Sequence, residues 1–124
     1  MTDSRLLQAA EDLMAAFSDG LELDSTRITE LLEDDAVLAS RCLTFLRDRD
    51  EILVDADARS VFHRDRLIEA VADTLRSHGP TTADAVAEYL TVPVPTTCEV
   101  LGWLSRDGSV EAFAADDRTV YRTR

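Results

Sequence analysis

Residues 86–97 read VAEYLTVPVPTT, and this stretch decides the fold of the segment in which it lies. Its first half has apolar residues at helical spacing, and a second apolar series that includes Leu101 and Leu104 follows it. Between the two series stand Pro93 and Pro95. Proline ends a helix but is tolerated in the first turn of the next one. The stretch therefore predicts two consecutive helices joined by a tight turn.

Further elements are predicted on both sides of this helix pair. The two threonines at 81–82 are candidate N-caps of the first helix. An amphipathic helix at 67–75 precedes them. Behind the second helix, alternation at 110–114 and a return segment at 119–122 predict two strands, with a turn at 116–117. The predicted order is three helices followed by a two-stranded hairpin, which we call the wing.

The first half of the chain carries the same series of residues. The helix predicted at 6–14 matches 67–75 at an offset of 61. The other matches have offsets of 58 or 59: 28–32 with 86–90, 43–46 with 101–104, and 59–62 with 118–121. The small changes of offset fall in predicted loops, where insertions are tolerated. We therefore predict a tandem repeat with units at 1–64 and 65–124. The predicted class is mainly α with small β-hairpins (α+β), each unit having three helices and a two-stranded wing.

The segment 67–122 resembles the winged helix-turn-helix of archaeal transcription regulators. The resemblance is carried by residues 86–97, by the leucines at 101 and 104, and by Gly108 and the segment DRTVY at 117–121. Unit 1 resembles the same fold only through the repeat, since it has two aspartates at 34–35 in place of the Val-Pro turn. The resemblance implies a winged-helix fold. For many members it also implies DNA binding with the third helix in the major groove.

The charge of the chain is strongly acidic, and all of its basic residues are arginine. There are 25 acidic residues against 13 basic ones, a net charge of −12, with 16 Asp, 9 Glu and no lysine. In concentrated salt an acidic surface costs little, because the Debye length falls to about 3 Å at 1 M. The composition resembles that of haloarchaeal cytosolic proteins. A net charge of this sign normally argues against a nucleic-acid partner. In a halophile this argument is weak, so the local charge of each surface must indicate whether that surface binds nucleic acid.

No motif for catalysis, a cofactor or a metal is present in the sequence. His63 and His78 lie far apart, without Cys or carboxylate at ligand spacing. There is no glycine-rich phosphate loop and no Gly-x-Ser-x-Gly. Cys42 and Cys98 each lie in a predicted helix beside apolar residues, which predicts buried thiols. No apolar run approaches the ~18 residues of a membrane span, and no signal-peptide pattern opens the chain. We expect a cytoplasmic protein that is not an enzyme.

The arginines are concentrated in one segment, which covers the last part of unit 1 and the first two residues of unit 2. The segment 41–66 holds six arginines and six acidic residues, whereas residues 1–40 hold two arginines and ten acidic residues. The third helix of unit 1, predicted at 36–49, and both wings are therefore the places where phosphate contacts are expected. The candidate DNA-binding residues are Arg41, Arg47, Arg49, Arg59, Arg64, Thr96, Thr97, Arg118 and Arg122.

Two of these assignments have structural alternatives. Arg47 and Arg49 alternate with Asp48 and Asp50, so an internally paired, solvated face is the other interpretation. The arginine at 118 stands beside an aspartate in the predicted hairpin, where stiffening of the hairpin is the alternative role.

The third helix of unit 2 favours a different kind of partner. Helical spacing places Thr97, Leu101 and Leu104 in the core, and the residues predicted to point outward are Thr96, Glu99, Val100 and Trp103. Apart from contact with a thymine methyl, the valine and the tryptophan offer nothing to base edges. Phe45 is equivalent to Trp103 through the repeat. Phe45, Val100 and Trp103 are therefore candidate protein-interface residues. For Phe45 and Trp103 the alternative is packing against the wing or the neighbouring unit.

The sequence thus supports two functional hypotheses, because the fold alone does not choose between them. The first is a transcription regulator of a halophilic archaeon that binds double-stranded DNA, expected as a homodimer or as a pseudo-dimer built from its own repeat. The second is a tandem winged-helix assembly module, similar to ESCRT-II proteins and to the condensin partner ScpB, which binds protein through the third-helix surfaces. A redox or metal sensor based on the two cysteines is a distant third.

Overall fold

A computed structural model of the chain describes residues 4–18, 20–55 and 59–124. The chain divides into two compact units, Met1–Asp65 and Arg66–Arg124. We describe each unit by itself.

Unit 1 consists of three helices and a small antiparallel sheet. Its elements are α1 (Ser4–Ala16), β1 (Glu22–Asp24), α2 (Ser25–Leu31), α3 (Ala36–Asp48), β2 (Ile52–Asp55) and β3 (Ser60–His63). The strand order in the sheet is β1-β3-β2. The core of the unit is built from all three helices and the sheet, with Leu13, Cys42, Leu46 and Ile52 almost completely buried. By the repeat, the sequence also predicts a turn at 55–58 between the two strands of this wing, and residues 56–58 lie outside the described residues.

Unit 2 has the same order of elements. They are α4 (Arg64–His78), β4 (Thr81–Thr82), α5 (Ala83–Leu90), α6 (Val94–Arg106), β5 (Val110–Ala115) and β6 (Arg118–Thr123). The strand order in its sheet is β4-β6-β5. Leu67, Val71, Val86 and Leu101 are among its fully buried residues. The α+β class predicted from the sequence is confirmed, and the three helices and the two wing strands of each unit follow one another in the predicted order.

Each sheet has one strand more than the sequence predicted. β1 pairs with β3, with Leu23 opposite Val61, and β4 pairs with β6, with Thr81 opposite Tyr121. Strands of three and two residues are too short to show a period-2 pattern. They form because the last strand of each unit offers them an unpaired backbone edge, which no local signal reveals. The two-stranded wings predicted from the sequence are present as β2–β3 and β5–β6, and each is extended by one short strand that the sequence did not predict.

Side-chain caps begin three of the helices, α2, α3 and α5, and the sequence predicted only the one on α5. The Asp24 carboxylate accepts from the backbone N–H of Arg27 at 2.8 Å, and that of Asp35 accepts from Leu38 at 3.0 Å. Thr82 caps α5 by accepting from the backbone N–H of residue 85 at 3.3 Å. The aspartate at 35 thus starts the third helix of unit 1, where the third helix of unit 2 starts with prolines. Each such cap contributes about 1 kcal/mol.

Thr91 ends α5 in the left-handed conformation, with φ 56° and ψ 47°. A residue with a Cβ atom is disfavoured there by about 1–2 kcal/mol, whereas glycine adopts this conformation freely. We expect Thr91→Gly to raise the free energy of unfolding by about 1 kcal/mol. Thr91→Ala, which keeps the Cβ atom, is the control and should gain little. Denaturant unfolding of both variants measures the difference, and equal stabilities would contradict the prediction.

Candidate nucleic-acid interface

The solvent-facing side of α3 carries hydrogen-bonding side chains. Its buried stripe is Leu38, Cys42 and Leu46, spaced four residues apart. This spacing turns the opposite side of the helix to solvent. The exposed residues there are Val37, Ser40, Arg41, Thr44, Arg47 and Asp48. Val37 is 70% exposed, which marks the N-terminal part of this face as fully open to solvent. We call these six residues the α3 face.

The arginines of the α3 face have no acidic partner within the described parts of the chain. No ion pair involves Arg41 or Arg47 there. Residues 36–49 contain three arginines and one aspartate, a net charge of +2 in a chain of −12. The corresponding residues 94–107 of unit 2 contain one arginine and two acidic residues, a net charge of −1. The α3 face is therefore the better of the two for contact with phosphate.

Arg49 differs from the other arginines of this helix because it is engaged inside unit 1. Its Nε lies 3.4 Å from Oε2 of Glu51, and its guanidinium carbon lies 5.2 Å from the ring centroid of Phe45. The alternation with aspartates predicted a paired face. Of the two arginines concerned, Arg49 does pair, but with a glutamate of the following turn, and Arg47 has no ion pair in the described residues.

Two further candidates are also engaged by neighbours. Arg64 Nη1 lies 3.5 Å from Oδ1 of Asp65. Arg122 donates from Nε and Nη2 to Oε2 of Glu111, at 3.1 and 3.0 Å, and its guanidinium carbon lies 4.9 Å from the ring centroid of Phe113. Exposed ion pairs contribute about 1 kcal/mol or less, so these arginines are not blocked. They are nonetheless less available for contact with phosphate than the arginines of the α3 face, which have no ion pair in the described residues.

Arg59 lies directly before β3 and is exposed. Its backbone is left-handed, with φ 53°, and its carbonyl accepts from the backbone N–H of Ser25 at 2.9 Å. It lines a cleft of about 400 Å³ bounded by α2, α3 and the wing, with apolar walls that include Leu43 and Val54. The structure thus places Arg59 at the rim of a cleft that α3 also lines, although Arg59 and α3 are separated in the sequence by the strand β2.

Arg118 occupies the equivalent position in the wing of unit 2, but its surroundings are acidic. Asp116 and Asp117 form the two-residue turn before it, and both have positive φ, 49° and 63°, as a type I′ turn requires. The tip of this wing therefore presents two carboxylates beside one guanidinium. Arg118 has no ion pair in the described residues, yet it is a weaker phosphate-binding candidate than Arg59.

The orientation of α6 differs from the one predicted by helical spacing. Thr96 is only 6% exposed and Val100 is completely buried, although both were predicted to point outward. Thr97 is completely buried, as its predicted core position requires. The Thr97 hydroxyl donates to the carbonyl of Pro93 at 3.1 Å, which satisfies it without water. The prediction that the two threonines contact DNA was therefore wrong, because a threonine that bonds to its own helix can be buried. The exposed positions of α6 are Val94, Pro95, Cys98, Glu99 and Arg106.

The predicted protein-interface residues are less exposed than expected. Val100 is buried, so that assignment was wrong. Phe45 and Trp103 are half-buried, and Phe45 packs against the core of unit 1. Packing inside unit 1 therefore describes Phe45 better than a free aromatic surface does.

The two cysteines have opposite environments. Cys42 is completely buried in the core of unit 1, as predicted, and burial raises the pKa of its thiol. Cys98 is exposed, so the prediction that it is buried was wrong. In α6 it directly follows the buried Thr97. It lines a cleft of about 420 Å³, which Arg118 and Tyr121 also line.

We expect the native protein to show one fast-reacting thiol and one protected thiol. Cys98 should react with a disulfide reagent at the rate of an exposed cysteine, whereas Cys42 should react only on unfolding, because both burial and its raised pKa suppress the thiolate. A time course of thiol titration with and without denaturant measures this. Cys98→Ser should abolish the fast phase, and two fast phases in the wild type would contradict the assignment.

Neither histidine belongs to a metal site in the described residues. His63 packs edge-on against Phe17, with ring centroids 5.5 Å apart. His78 packs against Tyr89 at 4.4 Å. In residues 4–18, 20–55 and 59–124, no cluster of three or more His, Cys, Asp or Glu side chains could hold a metal ion. In the same ranges, no helix combines the length and the apolar character that crossing a membrane requires.

Comparison with known proteins identifies the fold. No protein-family model matches the chain, and no curated protein matches it. Among solved structures, the chain is similar to the mRNA-binding domain of elongation factor SelB from E. coli, which was solved in complex with SECIS RNA. The two share 15% sequence identity, the TM-score is 0.60, and the alignment covers 99% of each chain. At this identity the likeness concerns the fold alone, and it confirms the winged-helix-like fold predicted from the sequence.

Proposed function

We propose that this protein binds double-stranded DNA, with the α3 face in the major groove and Arg59 against the phosphate backbone. The observation that carries this proposal is the composition of the α3 face. Arg41 and Arg47 are exposed and have no ion pair in the described residues. Arginine can bind guanine through two hydrogen bonds and can also contact phosphate, and serine and threonine hydroxyls contact either.

DNA suits this surface better than duplex RNA does. An α-helix fits the major groove of B-DNA, which is about 12 Å wide, whereas the major groove of A-form RNA is deep and narrow. The α3 helix is 13 residues long and presents its hydrogen-bonding side chains along one side. The SelB domain is similar in fold and was solved with RNA, which supports a nucleic acid as the class of partner.

The proposed biological role is transcription regulation in the cytoplasm of a halophilic archaeon. The support is the composition, with 25 acidic residues, 13 arginines and no lysine. In molar salt the repulsion between the net charge of −12 and DNA is screened within about 3 Å. Direct contacts at the α3 face are then the interactions that remain.

Selection from a random pool of duplex DNA in molar KCl tests the proposal. We expect the purified protein to enrich a sequence motif, because Ser40, Arg41 and Thr44 offer donors to base edges. An RNA duplex of the enriched sequence, titrated by fluorescence anisotropy, is the control and should bind at least tenfold more weakly. Absence of any enriched motif, or RNA binding as tight as DNA binding, would contradict the proposal.

A further inference from the structure

The strand β5 forms one edge of the sheet in unit 2. In the described part of the chain it pairs only with β6, in an unbroken register from Val110 opposite Thr123 to Ala115 opposite Arg118. The opposite edge of the sheet is the two-residue strand β4. The sheet therefore has one long edge, six residues in length.

The free backbone groups of this edge can be assigned from the register. The backbone N–H of Arg124 donates to the carbonyl of Ser109 at 3.2 Å, so residues 109 and 124 form a hydrogen-bonded pair. Such pairs alternate along an antiparallel ladder. Residues 111, 113 and 115 therefore bond to β6, and residues 110, 112 and 114 turn their N–H and C=O groups outward. Val110 is buried, but Ala112 and Ala114 are exposed.

The edge lacks the features that usually prevent strand pairing. Natural edge strands are protected by proline, lysine, a bulge or an inward-pointing charge. The sequence of β5 is VEAFAA, without proline or bulge. Its one charge, on Glu111, is paired with Arg122 at 3.0 Å. In a chain of which 31% is charged, this edge is unusually open to a second strand.

We propose that β5 pairs antiparallel with β5 of a second copy of this chain, with Phe113 on the two-fold axis. In this register the outward groups of Ala112 meet those of Ala114 in the other copy, so the exposed backbone groups of both strands are satisfied. Phe113 then faces Phe113 of the other copy in a non-hydrogen-bonded pair, where side chains are closest. A second copy is thus geometrically complementary to the edge that it covers.

The side chains on the same face of the sheet also match in this register. Phe113 is opposite Val120 in β6, so an apolar row crosses both copies through the two phenylalanines. On either side of it, Ala115 of one copy lies opposite Glu111 of the other. Within its own copy, Ala115 is paired with Arg118. The small alanine side chain therefore lies between Arg118 of its own copy and Glu111 of the other copy. Opposite charges and aromatic pairs across strands are stabilising, and this complementarity favours a second copy over an unrelated strand.

A cysteine scan tests the register, in a Cys98→Ser background that removes the exposed thiol. Phe113→Cys should form a disulfide-linked dimer on mild oxidation, because Cα atoms of a non-hydrogen-bonded pair are about 4.5 Å apart, within disulfide range. Ala115→Cys is the matched control on the same face. It should form no disulfide-linked dimer, since the two copies of residue 115 would be separated by roughly 13 Å along the strands. Equal cross-linking at both positions, or none at residue 113, would overturn the proposal.

A second pair of variants tests the hydrogen bonds without cysteines. Ala112→Pro removes one outward N–H and leaves the ladder to β6 intact. Ala112→Val keeps the N–H. In sedimentation experiments in molar KCl, we expect dimers for the wild type and for the valine variant, and monomers with an unchanged circular dichroism spectrum for the proline variant. A monomeric wild type, or a dimeric proline variant, would refute the pairing. DNA binding by the α3 face does not depend on this result.

Discussion

Replacing Arg41, Arg47 and Arg59 together by glutamine is expected to weaken DNA binding by about two orders of magnitude. Each lost guanidinium contact should cost about 1 kcal/mol, and a factor of ten corresponds to 1.4 kcal/mol. The slope of log affinity against log salt should become shallower by about one for each of these arginines that contacts phosphate, Arg59 among them. Fluorescence anisotropy titrations at several KCl concentrations measure both quantities.

The control for this experiment is a second triple variant with the same change of net charge. Arg5 and Arg76 are exposed and paired with Asp35 and Asp73, and Arg106 lies in the last turn of α6. Their replacement by glutamine should leave DNA affinity within about twofold. If this variant loses as much affinity as the first, binding depends on overall charge, and the assignment of the surface to unit 1 is incorrect.

Replacing Val100 by aspartate is expected to unfold unit 2. The side chain is completely buried in α6, so the substitution places an unpaired carboxylate in an apolar core. Burial of an unpaired charge is among the most destabilising changes known, and a loss of about 4 kcal/mol or more is expected. Denaturation followed by circular dichroism in molar KCl measures it.

The neighbouring Glu99 supplies the control for this substitution. It is exposed, and Glu99→Ala should change the stability by no more than about 0.5 kcal/mol. Helical spacing alone predicts that residue 100 points outward, in which case Val100→Asp would be tolerated. A stable Val100→Asp variant would therefore contradict the burial of residue 100. It would instead support the outward orientation predicted from helical spacing, and with it a protein interface at this position.

Much of the fold could be predicted from the sequence because its signals are local. The prolines at 93 and 95 separate two apolar series, and both helices appear where those series predict them. Thr82 caps α5 as expected. The two aspartates at 116–117 form the turn of the wing. Caps, turns and helix breaks depend on a few neighbouring residues, so a single sequence contains the information that they require.

The missed features depend on contacts between distant residues. The strands β1 and β4 exist only as partners of β3 and β6. The buried side of α6 is wide enough to include Thr96 and Val100, and spacing alone cannot distinguish a wide apolar side from a narrow one. Cys98 is exposed because it falls just outside this side. In each case the packing of other elements decides which residues are covered.

The sequence by itself determined the winged-helix-like order of elements, the acidic and lysine-free surface, and the concentration of arginines in unit 1. The tertiary structure decided which of those arginines are available. Arg49 and Arg122 are paired with glutamates, whereas Arg41, Arg47 and Arg59 have no ion pair in the described residues. The physical reason is that an ion pair requires two side chains within a few ångströms, and folding, not spacing along the chain, sets that distance.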